Sequence, residues 1–297
     1  MASLRDIKRR TNSVQSTRQV TRTMEMVSTA KIRRAQSRIE HARPYALALA
    51  SMLAKVTQAS KKVKHPLLAV RKEQKVTVCV CIASDRGQAG AFNSNIIALT
   101  EAYLQEKEEQ NVEVQLIACG KKLNAYFKQR GIEPALALEG FSGSPEYTDA
   151  KLIADRVIRQ YSDAEIDEVV TIYNRFINVA DQRPETSVLL PARNDEIVEQ
   201  VEDAPKSRRD DLDYLFEPDA KDVLRSLLPT YVETLVYRAL LESAVSEHAA
   251  RRTAMKAATD NATEMIATLT RSYNRARQAA ITTEISEIVG GAAALEG

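Results

Sequence analysis

Residues 273–291 read YNRARQAAITTEISEIVGG, and how they fold decides the architecture of the chain. Small or apolar side chains stand at Tyr273, Ala276, Ala280, Ile285 and Ile288. The same three-and-four rhythm runs back through Leu269, Met265, Ala262 and Ala258, which is one stripe of a helix. Upstream, Leu224, Leu228, Leu235, Ala239, Val245 and Ala249 continue it. The pattern therefore covers about 70 residues, on the order of 100 Å at 1.5 Å per residue, whereas ordinary helices stop at about a dozen residues. Such a length belongs to a coiled coil, a membrane span or a helical repeat. The charges of Arg251, Arg252, Lys256, Asp260, Glu264, Arg271, Arg275 and Arg277 exclude the membrane. A coiled coil needs a partner helix, and Pro229 is expected to kink or restart this one near Leu228.

The partner lies at the other end of the chain. Residues 3–57 carry Leu4, Ile7, Val14, Val20, Met24, Val27, Ile32, Ala35, Ile39, Ala46, Leu49, Leu53 and Val56 as an apolar series, with no Gly and with Pro44 as the only Pro. At 1.5 Å per residue this is a helix of about 80 Å. Paired antiparallel, the two patterns close a single-chain coiled coil with a thin seam rich in small residues. Twelve Lys or Arg against three acids fall in residues 1–57. The cluster at Arg9, Arg10, Arg18, Arg22, Lys31, Arg33, Arg34 and Arg38 repels itself unless an acidic partner is near.

Between the helices the period changes. Residues 76–83 (VTVCVCIA) are a nearly continuous apolar run, 95–109 are helical, 112–118 form a second strand and 121–130 a short helix. A helix at 148–161 and a strand at 169–173 follow, with 185–190 available as an edge strand. Strands alternating with helices predict βαβ units and a mostly parallel, Rossmann-like sheet over residues 75–192. The predicted class is thus an α/β domain inserted between the two long helices of an antiparallel coiled coil. Residues 1–60 are the first shaft helix, 193–218 a charged connection and foot, and 219–297 the second shaft helix.

The 297 residues are 44% hydrophobic, enough for a sizeable core, and carry a formal net charge of only +2. The three cysteines, Cys79, Cys81 and Cys119, lack CxxC spacing and an even count. They read as buried structural thiols in a reducing compartment, not as a disulfide framework or a metal site. No apolar signal core follows Met1 and no run approaches 18 apolar residues, so neither export nor a membrane span is expected.

The loop at 84–95 (SDRGQAGAFNSN) is the one place that resembles a phosphate cradle between strand and helix, yet it lacks both GxGxxG and the P-loop Gly-Lys-Ser/Thr. Its simplest reading is a tight turn that packs. His41, His65 and His248 are isolated, with His41 and His248 expected on helix surfaces, and no nucleophile is paired with a base. Nucleic-acid binding is disfavoured, because the basic residues overlap the apolar stripe instead of extending beyond it, and only Tyr45 offers an aromatic for stacking. A soluble α/β enzyme that binds a nucleotide at 84–95 and oligomerises through helical arms is the alternative reading.

Motifs from end to end resemble the gamma subunit of the F-type ATP synthase in its bacterial form. They are SLRDIKRR at 3–10, TRTMEMVSTAKIRRAQ at 21–36, SDRG with FNSN at 84–95, YNRFIN at 173–178 and DYLFEPD at 213–219. AAR at 249–251, AMKAATDNA at 254–262 and YNRARQAAITTEISEIVGGAAAL at 273–295 complete the series. The resemblance implies a rotor without catalytic residues or cofactors of its own. Its two terminal helices would turn inside a ring of alpha and beta subunits, and its α/β domain would sit beside epsilon and the c-subunit ring. It implies a peripheral position at the cytoplasmic face of the bacterial membrane, held there by partners. Residue by residue, it implies beta-subunit contacts at Arg277, Gln278 and Thr282, a lower one at Arg251, and one at Met24. It also implies an epsilon and c-ring foot at Asp213, Tyr214, Phe216 and Glu217. This chain departs from the family pattern at Gln88, Ala89, Gly90 and Ala91, and at Ser28 and Thr29, and it lacks the dithiol insertion of the chloroplast form.

Overall fold

The computed structural model describes residues 3–59, 65–71, 73–193 and 219–296. Helix α1 is Leu4–Ala59. It starts where Ser3 caps it, with the Asp6 N–H donating to Ser3 Oγ at 3.2 Å. A short 3₁₀ turn, Pro66–Leu68, leads to β1, Val76–Ile82. Then come α2 (Phe92–Glu109), β2 (Glu113–Cys119), α3 (Lys121–Gln129), β3 (Leu136–Leu138) and α4 (Tyr147–Ser162). Strands β4 (Glu168–Phe176) and β5 (Gln182–Leu190) complete the sheet, and α5 runs over Ala220–Glu296.

The sheet order is β3-β2-β1-β4-β5, with β5 alone antiparallel. The two-residue period of β1 splits its side chains between two cores. Val78, Val80 and Ile82 face one core with α4, the C-terminal part of α1 and the start of α5. Cys79 and Cys81 face the other, with α2 and α3. Burial on both faces is why this central strand reads as an unbroken apolar run. All three cysteines are free and buried, with Cys79 Sγ 3.3 Å from Cys81 Sγ and Cys119 on the opposite face. Burial pushes the Cys79 thiol well up, reinforced by Cys81.

Two features differ from the sequence reading. Helix α5 is continuous through Pro229, and no restart occurs near Leu228. Proline in a helix interior costs about 3 kcal/mol. Leu224, Leu228, Val232 and Val236 are each 1% exposed or less against the sheet-side core, and a fully buried apolar side chain contributes about 1.5–3 kcal/mol. Packing on both sides of the proline outweighs the lost rung. Strand β3, three residues long, is not legible in the sequence, because so short a run carries no periodic signal. It exists through its pairing with β2, from Ile117↔Leu136 to Cys119↔Leu138.

Candidate functional site

The chain divides into two compact units, Met1–Ser28 with Arg252–Gly297, and Thr29–Arg251. In the first unit, α1 has Met24 covered at one flank and, along the seam, Leu4, Ile7, Thr11, Val14, Arg18, Thr21, Glu25 and Ser28. Their spacing alternates strictly between three and four, the heptad signature of a coiled coil. On α5 the matching series is Met255, Thr259, Ala262, Ile266, Leu269, Tyr273 and Ala276. Thr21 Oγ1 meets Thr259 Oγ1 at 2.7 Å and fixes the register.

This seam corrects the apolar series expected from sequence. Val20 and Val27 are 54% and 50% exposed, and Met265 is 46% exposed. Their places in the seam are taken by Thr21, Ser28 and Ile266. A strict heptad that begins at Leu4 and Ile7 must pass through Arg18, Thr21, Glu25 and Ser28, whatever their polarity. Following hydrophobicity alone drifts off the seam by one residue. Met24 is half-buried at the seam's flank.

An antiparallel pair that sets Thr21 beside Thr259 sets Leu4 beside Ala276, and both are half-buried. Helix α1 begins at Leu4, so α5 runs on past its partner. Every residue from Arg277 to Ala292 is exposed. Arg277, Gln278 and Thr282 cluster on the first turns of this overhang, with Thr282 Oγ1 donating to the Gln278 carbonyl at 2.9 Å. Ile281, Ile285 and Ile288 follow at helical spacing, 46%, 56% and 65% exposed. A lone helix with an uncovered apolar stripe is marginal in water. Its sequence calls for a surface supplied from outside the chain.

Arg251 is placed differently. In the second unit it is only 8% exposed, with Nη2 2.7 Å from Glu247 Oε1 and donating to the Gly87 carbonyl at 3.2 Å. His248, expected on a helix surface, is 2% exposed. His41 is exposed, as expected. His65 Nδ1 accepts from the Leu67 N–H and caps the 3₁₀ turn. Asp213, Tyr214, Phe216 and Glu217 lie outside the described residues.

The loop at 84–95 spends its polar groups on its own protein. Asn93 Oδ1 accepts from the Ser84 N–H and hydroxyl. The Asp85 carboxylate accepts from the Lys121 N–H at 3.0 Å and the Ser142 N–H at 3.1 Å. Partial burial works against that carboxylate, but backbone donors of Gly140, Lys121 and Ser142 hold its pKa below the ordinary value. The anion position at the start of α3 is thus filled from within the chain. Gly120, at φ +111°, lets the backbone close there, since a Cβ would lie 2.4 Å from the Ala83 carbonyl oxygen. Among the described residues no group of three or more His, Cys, Asp or Glu could hold a metal ion.

Comparison with known proteins matches residues 3–295 to the ATP synthase family (ATP-synt). The ATP synthase gamma chain of Pelotomaculum thermopropionicum is 48% identical over 296 residues, covering 100% of both chains. That of Desulfitobacterium hafniense is 45% identical with the same coverage. Among solved structures, a chain of the central stalk and c-ring of Tetrahymena thermophila mitochondrial ATP synthase has a TM-score of 0.60 at 25% identity, covering 80% of this chain and 99% of that one. A chain of the Euglena gracilis mitochondrial ATP synthase shares the fold at a TM-score of 0.64 and 20% identity, covering 98% and 94%. Because the match takes in both long helices and the sheet, and nearly half of all residues are shared with full-length relatives, this chain belongs to the ATP synthase gamma-chain family.

Proposed function

We infer that this chain is the central rotor of an F-type ATP synthase, coupling ion flow through a c-subunit ring to conformational change in catalytic beta subunits. The observation that carries the reading is the helix pair whose second member runs on alone past the first, ending in an uncovered stripe at Ile281, Ile285 and Ile288. The chain itself is non-catalytic, and ATP is made and hydrolysed in beta. Its partners are alpha and beta around the helices, and epsilon and the c ring at the foot.

A rotor drives chemistry only if each orientation favours a different set of beta conformations, since a partner shifts an equilibrium solely by differential affinity. The helix pair is suited to this by asymmetry. One helix carries the basic cluster around Arg9, Arg22 and Arg34, and the other extends alone beyond it. Exposed charge contacts are worth about 0–1 kcal/mol each and can be exchanged as the shaft turns.

Arg277, Gln278 and Thr282 are the upper beta contact, and Met24 meets beta lower on the pair. Arg251, being mostly covered, would act there through the Gly87 loop that it holds. Asp213, Tyr214, Phe216 and Glu217 form the foot toward epsilon and the c ring. Among the described residues no helix is long and apolar enough to cross a membrane. On the rotor reading the chain is peripheral to the bacterial plasma membrane, on its cytoplasmic face, through its partners.

The test is reconstitution of alpha, beta, epsilon and the membrane sector with and without this chain. ATP-driven ion pumping is expected only with it. Pumping of equal extent in its absence, or micromolar nucleotide binding by the isolated chain, would favour the nucleotide-enzyme alternative. Within a working complex, Arg277→Ala with Gln278→Ala is expected to weaken coupling.

A further inference from the structure

The second unit contains a set of polar contacts that the helix seam does not require, and of which only the one at Arg251 bears on a proposed beta contact. Three side chains of α5 reach three different places at the C-terminal edge of the sheet. The Ser246 hydroxyl donates to the Asn174 carbonyl of β4 at 2.9 Å. His248 Nε2 lies 2.9 Å from the Gly143 carbonyl, in the loop after β3. Arg251 donates to the Gly87 carbonyl, in the loop after β1, at 3.2 Å from Nη2. From α1, Arg38 Nη1 reaches the same β3 loop, donating to Ser144 Oγ at 2.8 Å and to the Pro145 carbonyl at 3.4 Å. The two loops are tied to each other by a reciprocal pair. The Asp85 N–H donates to Ser142 Oγ at 2.9 Å, and the Ser142 N–H returns a bond to the Asp85 carboxylate at 3.1 Å.

Most of the acceptors are backbone carbonyls, so both long helices grip the main chain of the sheet edge. A carbonyl only accepts, which makes His248 the tautomer with its proton on Nε2. Nδ1 has no hydrogen-bond partner among the described residues. Keeping a buried ring with one nitrogen unsatisfied costs stability, so the Nε2 donor is the part of this side chain that the fold uses. Apolar packing at this level is slight. The cluster that joins the helices here holds only Ile32, Ala35, Val245 and Ala249 as fully buried members, with Ile39, Phe176 and Val179 against them. Hydrophobic contact is non-directional and does not by itself fix the position of a given carbonyl. Hydrogen bonds to fixed carbonyls resist shear, because they weaken steeply with angle.

We propose that Arg38, Ser246, His248 and Arg251 form a torque clamp, which carries twist between the sheet and the two long helices by fastening both helices to the backbone of the sheet edge. This rests on the rotor reading. A load applied to the α/β domain from the c ring must reach the helices, whereas hydrolysis by a head detached from the membrane sector loads the helices without loading the sheet. Losing the clamp therefore affects coupled work and spares detached turnover.

The test uses the whole complex in proteoliposomes, carrying the native chain, Arg38→Ala with His248→Ala, or Arg38→Lys with His248→Gln. The alanine pair is expected to raise deuterium exchange at the Ser142 and Ser144 amides, bonded to Asp85 and to the Phe141 carbonyl, at least tenfold and to lower ions pumped per ATP at least threefold. Hydrolysis by the detached head should stay within twofold. The Lys/Gln pair, which restores donors, is expected to recover most of the pumping. Because Arg38 is exposed, Arg38→Ala alone carries the test if the double variant does not assemble. Faster exchange with unchanged pumping overturns the clamp, as does equal loss in the Ala and Lys/Gln pairs. A native chain that supports no pumping at all would instead overturn the rotor reading.

Discussion

Thr21 Oγ1 and Thr259 Oγ1 lie 2.7 Å apart across the seam of the two long helices, in a stretch where Arg18, Glu25 and Ser28 also occupy seam positions. Each hydroxyl also lies within reach of a carbonyl of its own helix, Arg18 at 3.0 Å and Met255 at 2.8 Å; with one proton apiece, one hydroxyl donates across the seam and the other donates within its helix while accepting. A polar pair inside a heptad seam specifies register at a cost in stability. Thr21→Val or Thr259→Val alone leaves the other hydroxyl facing a methyl group and should cost about 0.5–1.5 kcal/mol. The double Val variant should be neutral or stabilising, because it completes an apolar seam of the same shape. Denaturant unfolding of the four chains as a double-mutant cycle checks this; additive losses would refute the pair as a unit.

The overhanging tip and the core should respond oppositely to truncation. Ile285→Ser with Ile288→Ser removes side chains that this chain does not cover, so its stability is expected to change by less than about 0.5 kcal/mol. Assembly into the head, or coupling within it, should suffer. Leu53→Ala or Leu228→Ala empties a fully buried site and should cost about 2–5 kcal/mol. Thermal unfolding of the free chain and yield of assembled complex separate the two effects.

His248 should make the second unit sensitive to mild acid. Burial of the ring lowers its pKa below 6.5; the Gly143 bond and Glu247 oppose that, and Arg251 and Lys31 reinforce it. The unfolded chain therefore binds this proton first. The contribution is fully present above pH 6.5 and is lost as pH falls from there through the lower folded value, at no more than about 1.4 kcal/mol per pH unit. His248→Gln should remove its share of this slope, leaving that of His65, whose pKa burial and Arg225 also lower, and the losses below about pH 4, where the depressed carboxylates Asp85 and Asp167 become protonated. Urea midpoints measured from pH 7.5 down to pH 4 would show it.

Gly120 and Gly131 offer a controlled comparison. Both have positive φ, +111° and +78°, but only Gly120 has backbone in the way. Gly131→Ala is expected to cost about 1 kcal/mol from conformation alone, and Gly120→Ala at least 2–3 kcal/mol, roughly, because Ala83 must also move. Equal losses in the two variants would mean that the β1 loop yields easily.

Much of this protein can be read from its residues in order. The length and rhythm of residues 219–291 and 3–57 require two long helices that lie together, since neither stripe can stay in water, and they are found as Ala220–Glu296 and Leu4–Ala59. The apolar run at 76–82, buried on both faces, places a central parallel strand, and the edge strand at 185–190 is found within the longer β5, Gln182–Leu190. What periodicity could not supply was the partner at each position. The seam passes through Arg18, Thr21, Glu25 and Ser28 while Val20 and Val27 turn outward, because a heptad is set by the helix opposite and by Thr21 meeting Thr259. His248 and Arg251 look like surface residues of a long helix until the loops at 84–87 and 140–145 fold over them. Pro229 reads as a helix break until Leu224, Leu228, Val232 and Val236 are buried around it. Local sequence determines which elements form, because propensity and hydrophobic period act over a few residues. Only the tertiary structure decides which face of each element is covered and which polar groups are held, because those depend on neighbours more than 100 residues away, as Thr21 and Thr259 are.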